Sequence, residues 1–160
     1  MKILMVCLGN ICRSPLAEGI LQKKAAEAGL NWEVDSAGTN GFHVGESPHH
    51  LSEKVARSNG IDISKQVSRQ FIKEDFQRFD RIYAMANDVM KDMKQIGGAH
   101  FDESKTDFLL NEIYPGQNRN VPDPWYGNED GYIEVFELLE KACDAVIENH
   151  YNSIQKEATA

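Results

Sequence analysis

The chain opens on a nearly unbroken apolar run, Lys2-Ile3-Leu4-Met5-Val6-Cys7, which stops at the turn-forming pair Gly9-Asn10. Continuous apolarity over so few residues is the pattern of a strand buried on both faces, and such strands occur in parallel sheets covered by helices on either side. A helical pattern follows the loop Leu8 to Arg13. Pro15 suits the first helical position, Ala17, Leu21, Ala25 and Ala28 share one face, and Gly29 can end the helix. Trp32 to Ala37 reads as a second strand, completing a βαβ unit whose crossover is right-handed.

The rest of the chain keeps this alternation. Ser47-Pro48 starts a helix that runs to about Asn59-Gly60, Phe71 to Phe79 is helical, Arg81 to Met85 is a third strand, and Asn87 to Lys94 is again helical. A fourth strand falls at Thr106 to Leu110, where Asp107 interrupts the apolar pattern. Tyr132, Val135, Phe136, Leu139, Ala142, Cys143, Val146 and Ile147 recur at helical spacing, so the last helix lays a broad apolar stripe on the sheet. The expected fold is α/β: a three-layer sandwich with a central four-stranded parallel sheet, Rossmann- or flavodoxin-like, in one domain spanning residues 1–160. In such folds ligands bind beyond the carboxyl ends of the strands, where the loop after the first strand lies.

Charge restricts the partners. Lys and Arg number 17 against 25 Asp and Glu, a formal net charge of -8, which excludes the basic footprint of a general nucleic-acid binder. An anionic partner must then be held by a local device. No stretch approaches the length of a membrane span, and the apolar opening is too short for a signal-peptide core, so the expected location is cytoplasmic. Three cysteines cannot build a disulfide framework; an odd, sparse count suits a reducing compartment and raises the question of a reactive thiol.

The local device is the segment Cys7-Leu8-Gly9-Asn10-Ile11-Cys12-Arg13-Ser14-Pro15. Backbone N–H groups of a tightly curled loop and of a helix N-terminus converge into a nest that binds a phosphate-like dianion without net basic charge. Gly9 and Asn10 tolerate left-handed backbone angles, and Arg13 adds a planar fork of donors for two oxyanion oxygens. The dipoles that attract an anion also stabilise a thiolate at Cys7, and Ser14 can donate its hydroxyl proton to that sulfur. A lone cysteine at a strand end is ordinarily inert packing; Arg13 and Ser14 at this spacing reverse that expectation. Cys7 and Cys12 lack the spacing of a zinc-binding pair, no Gly-Lys-Ser/Thr follows for a nucleotide loop, and the glycine triplet of a dinucleotide fingerprint is missing.

Val6 to Pro15 resembles the signature loop of the low-molecular-weight protein tyrosine phosphatases at every signature position, Cys12 included. The likeness continues through Asp35-Ser36-Ala37-Gly38-Thr39, Asp80 to Met85, and Asp123-Pro124-Trp125-Tyr126-Gly127. The resemblance implies a phosphocysteine mechanism with Cys7, Arg13 and Asp123 catalytic. The residues alone leave Asp123 equally readable as an exposed turn aspartate, although Pro122 and Pro124 stiffen the backbone around it; it is the resemblance that makes it the general acid. Leu8, Gly9, Asn10, Ile11, Cys12 and Ser14 are the expected substrate cradle, with Phe42, Trp125 and Tyr126 as aromatic walls for a phenyl ring; Phe42 reads equally well as a loop anchor. The resemblance also implies that Cys12 can form a reversible disulfide with an oxidised Cys7; otherwise it is a small packing residue.

Two positions depart from the family pattern: many members carry a histidine where Lys65 follows Ser64, and an aspartate where this chain has Ala86, with Asn87 displaced. Ser36 and Asn10 remain to brace the loop. His49-His50 reads better as a polar helix face than as a metal site. The function expected is hydrolysis of phosphotyrosine proteins or small aryl phosphates by a monomer needing neither metal nor cofactor, with no nucleic acid and no membrane partner. The alternatives are an arsenate reductase of related fold, which would need a cysteine pair where Cys143 stands alone, and a non-catalytic phosphate-binding module.

Overall fold

The apolar opening becomes β1 (Lys2–Cys7) in the computed structural model, which describes residues 1–159. Ile3, Leu4, Met5 and Val6 are completely buried, each contributing about 1.5–3 kcal/mol by leaving water. β1 is buried on both sides because it sits inside the sheet: β2 (Glu33–Gly38) pairs parallel along one edge and β3 (Arg81–Ala84) along the other. β4 (Thr106–Phe108) adds parallel to β3, giving the order β2-β1-β3-β4. Side chains alternate between two layers. Ile3, Met5 and Cys7 face α1 (Arg13–Glu27) and α5 (Glu129–Thr159), whereas Leu4 and Val6 face a layer of Phe71, Phe76, Val89 and Met93. Phe76 belongs to α3 (Asp75–Arg78), and Val89 and Met93 to α4 (Asn87–Gly97).

The α5 stripe is buried from Tyr132 to Val146, with Ile147 partly covered against the same core. Gly29, at φ 73°, terminates α1 as expected: its N–H reaches Ala26 O and the next N–H reaches Ala25 O.

Several boundaries differ from the sequence reading, each for a local reason. α1 starts at Arg13 rather than Pro15, which a proline in the first turn permits because that turn has no intrahelical acceptor for its nitrogen. α2 (His50–Ser58) starts after Pro48, because the His49 side chain caps it by accepting from Leu51 N at 3.1 Å. Phe71 to Phe79 is helical only over α3. Phe71 N is bound to Gly38 O, Gln70 bridges to Gly38, and the buried Asp75 carboxylate takes hydrogen bonds from Arg69 and Ile72 N, holding the preceding residues extended along β2. The fourth strand ends at Phe108, and Leu109–Glu112 is a 3-10 turn.

The carboxyl ends of the strands are laced together. Thr39 N donates to Cys7 O and Asn40 N to Leu8 O, joining the segment after β2 to the loop after β1, while Val121 N donates to Met85 O and anchors the segment before α5. Gly38 is required at this junction: a Cβ there would lie 2.8 Å from Leu8 O and 3.0 Å from Asn10 N.

Candidate active site

Residues 8–12 curl back over the end of β1, with Asn10 at φ 57° in the left-handed region that asparagine tolerates. Its side chain organises the loop. Oδ1 accepts from Arg69 N at 3.0 Å, which fixes the amide so that Nδ2 donates to Ser14 Oγ at 2.8 Å and to Ser36 Oγ at 2.9 Å. Ser14 Oγ lies 2.9 Å from Cys7 Sγ, and since it already accepts from Asn10, its own hydrogen is free for the sulfur. Asn10 N donates to the same sulfur at 3.3 Å. The Ser14 hydroxyl and the Asn10 N–H thus converge on one sulfur. Ser68 Oγ, donating to Gly9 O at 3.0 Å, ties down the crest of the loop.

Arg13, in the first turn of α1, is 4% exposed. Nη1 donates to Val121 O at 3.1 Å, and Nη2 lies 3.6 Å from Asp123 Oδ2. The other Asp123 oxygen accepts from Trp125 N at 3.0 Å, capping the 3-10 turn Pro124–Tyr126. The carboxylate is thus held from two directions and stays about one-third exposed, 37% at the side chain, at the mouth of the pocket.

A cavity of about 240 Å³ opens between these elements. Cys7, Leu8, Gly9, Ile11, Cys12 and Arg13 form its floor; Phe42, Asp123, Trp125 and Tyr126 form its walls. Phe42 and Tyr126 stand at the rim, 86% and 92% exposed. Asn10 and Ser14, expected in the cradle, are buried behind the loop and do not line the cavity; their contacts brace the loop from the rear. Asn40 and His43 do line it and were not singled out by the sequence reading. His43 holds Glu46 at 2.7 Å and tilts against Trp125 at 5.5 Å, a placement that depends on the path of an irregular loop.

Comparison with known proteins identifies the family. The family model described as low molecular weight phosphotyrosine protein phosphatase matches residues 2–160. The chain belongs to that family. The low molecular weight protein-tyrosine-phosphatase YfkJ of Bacillus subtilis is 36% identical over 159 residues, covering 98% of this chain and 97% of its own. A crystal structure of a protein tyrosine phosphatase from Entamoeba histolytica superposes with a TM-score of 0.86 at 35% identity, over 96% of this chain and 98% of that one. A structure of the YwlE arginine phosphatase superposes with a TM-score of 0.84 at 26% identity, over 93% of this chain and 95% of that one.

At the two positions that depart from the family pattern, the side chains lie outside the contacts that hold the loop. Ala86 stands just before α4 and carries no polar side-chain group, and Arg13 is held by the Val121 carbonyl and Asp123. Lys65 takes no part in bracing the loop; the Ser36 hydroxyl donates to Glu18 Oε1 at 2.7 Å in the space behind it. Cys12 immediately precedes α1 without a side-chain capping bond and lies 3.5 Å from the Tyr132 hydroxyl, its thiol pushed up to about 11 chiefly by burial. Burial also pushes the Cys143 thiol far up; it is fully enclosed, 3.9 Å from Ala17 O, on the α5 stripe. His49 stacks between His50 at 4.4 Å and Tyr132 at 5.1 Å, and burial lowers its pKa. Among the described residues no group of three or more His, Cys, Asp or Glu converges to hold a metal, and no helix is long and apolar enough to cross a membrane.

Proposed function

We propose that the chain hydrolyses phosphotyrosine in proteins, and small aryl phosphates, through a phosphocysteine intermediate formed on Cys7. The observation that carries this reading is the meeting of Cys7, Arg13 and Asp123 in one cavity with aromatic walls. The Cys7 thiolate attacks phosphorus in line, forming the S–P bond as the ester P–O bond breaks. Asp123 delivers its proton to the departing phenol oxygen. The loop N–H groups and the Arg13 fork stabilise the equatorial oxygens, where charge is spread in the transition state. Water then attacks the phosphocysteine, Asp123 accepts its proton, the P–S bond breaks, and inorganic phosphate leaves. The Ser14 hydroxyl stabilises the departing thiolate.

The walls support an aryl ester. Leu8, Ile11, Phe42, Trp125 and Tyr126 offer apolar and aromatic surface, and ring packing adds about 0.5–1.5 kcal/mol beyond burial. A short phosphoserine would leave its phosphorus above the sulfur. The mechanism asks nothing of a metal or cofactor, and the reading places the enzyme in the cytoplasm as a monomer, without nucleic-acid or membrane partners, in keeping with its acidic charge. An arsenate reductase would need further cysteines to pass electrons, and the remaining thiol outside the loop, Cys143, is sealed in the core.

The test is a set of assays on one preparation in the presence of EDTA. Hydrolysis of p-nitrophenyl phosphate and of a phosphotyrosine peptide is expected, with Cys7→Ser abolishing turnover while retaining phosphate binding. Full turnover by Cys7→Ser, or preference for phosphoarginine over the phosphotyrosine peptide, overturns the reading.

A further inference from the structure

Glu18 is a partly buried acid on α1 that reaches toward β2, and among the described residues no basic side chain pairs with it. Its partner is the Ser36 hydroxyl on β2, at 2.7 Å. That contact is the far end of a continuous chain. Ser36 Oγ accepts from Asn10 Nδ2 at 2.9 Å, the same amide nitrogen donates to Ser14 Oγ at 2.8 Å, and Ser14 reaches Cys7 Sγ at 2.9 Å. The donors run in one direction when the sulfur is a thiolate. Arg69 N fixes the Asn10 amide, both Asn10 hydrogens go to the two serines, and each serine has one hydrogen left, for Cys7 in one case and Glu18 in the other.

We propose that Glu18 is a positioning residue for the nucleophile loop, and that its carboxylate is the anchor from which Ser36 and Asn10 hold the Ser14 hydroxyl against Cys7. The proposal rests on the phosphatase reading for its kinetic consequence and on the geometry alone for the anchor. A carboxylate accepts a hydrogen bond roughly twice as strong as a neutral acceptor does, so protonating Glu18 slackens the chain at its end. The change falls in the neutral range. Burial raises the Glu18 pKa to about 7 against the lowering by the Ser36 hydrogen bond, with Asp35 raising it further and Arg69 lowering it. Arg69 is committed to Asp75 and Asp35, at 3.1 Å each. The other charged groups near this face are Lys23 on α1 and Asp62 and Lys65 on the segment before Gln66, in the groove that Glu18 also lines. Above neutrality the anchor is charged, below it neutral.

Glu18→Gln keeps the shape and a neutral acceptor at every pH, and so separates anchoring from packing. kcat/KM for p-nitrophenyl phosphate and the rate of Cys7 alkylation by iodoacetamide are measured from pH 5.5 to 8.5 for wild type, Glu18→Gln, Ser36→Ala and the double variant. The ratio of wild type to Glu18→Gln is expected near one at pH 5.5 and to change by roughly three- to tenfold through neutrality, in both measurements. Ser36→Ala cuts the chain between Glu18 and Asn10, so Glu18→Gln should add nothing in that background. A ratio that is flat with pH, or an undiminished pH-dependent effect of Glu18→Gln in the Ser36→Ala background, overturns the proposal. Because alkylation needs no hydrolysis, a pH-dependent alkylation ratio in a chain that hydrolyses no phosphate ester would uphold the anchor while the phosphatase reading falls.

Discussion

Ser14→Ala isolates the group that handles the charge on sulfur. The hydroxyl lies 2.9 Å from Cys7 Sγ, and its remaining hydrogen has no competing acceptor there. A hydrogen bond to a charged group is worth about 1.5–3 kcal/mol, which at tenfold per 1.36 kcal/mol is about tenfold to 150-fold in rate. The deficit should fall mainly on the second step, in which the thiolate is the leaving group. In rapid-quench experiments with p-nitrophenyl phosphate, Ser14→Ala should release a burst of nitrophenol close to one equivalent and then turn over slowly, accumulating phosphocysteine. The variant also deprives Asn10 Nδ2 of one acceptor, and an unsatisfied buried donor costs about 1–3 kcal/mol of stability. Melting should therefore drop by about 2–4 °C for each kcal/mol lost, and kinetics are compared well below that range. A folded Ser14→Ala protein whose phosphoenzyme hydrolyses within threefold of the wild-type rate refutes the assignment of this hydroxyl to the sulfur charge.

Asp123→Asn should slow hydrolysis of a phosphotyrosine peptide by roughly 10²–10⁴-fold and that of an aryl phosphate with a strongly acidic phenol much less, as compared from kcat on the two substrates. Glu18→Gln should leave the melting temperature unchanged near pH 4.5 and raise it above pH 7. The Glu18 carboxyl has a folded pKa of about 7 against an ordinary value of 4.5, so the unfolded chain ionises first. Stability is lost as pH rises between these values, by on the order of 1–3 kcal/mol; calorimetry at the two pH values that shows no difference between variants contradicts this. Alkylation by one equivalent of iodoacetamide at neutral pH should mark Cys7 and spare Cys12 and Cys143, whose thiols burial pushes up; peptide mass spectrometry locates the label, and label on Cys143 in folded protein would contradict the sealed core.

What the sequence disclosed divides along the range of the interactions involved. β1, α1, β2 and the α5 stripe were legible because each is written in the periodicity of its own residues. The nucleophile loop was legible for the same reason: Cys7, Asn10, Arg13 and Ser14 lie within eight consecutive residues. Most of Phe71 to Phe79 departs from its own helical pattern because Gly38, far away in sequence, and the nearby Arg69 hold its backbone and Asp75 in place. His43 and Asn40 depend on where an irregular loop comes to rest. Glu18 looks like any acid on a helix, and its meeting with Ser36 across 18 residues becomes visible only when α1 packs on β2. Asp123 is a middle case: its flanking prolines suggested rigidity, but its position beside Arg13 follows from Val121 being tied to Met85.

The central place of β1 in the sheet divides labour within the molecule. Cys7 ends a strand clamped by neighbours on both sides, and its loop is stapled from behind, so the reactive sulfur has little room to adapt to whatever arrives. Accommodation falls to two separate stretches of chain, around Phe42 and around Trp125 and Tyr126, whose aromatic tips stand in solvent. Exchanging those tips would retarget the protein toward other phosphorylated surfaces while the bond-breaking centre stays as it is.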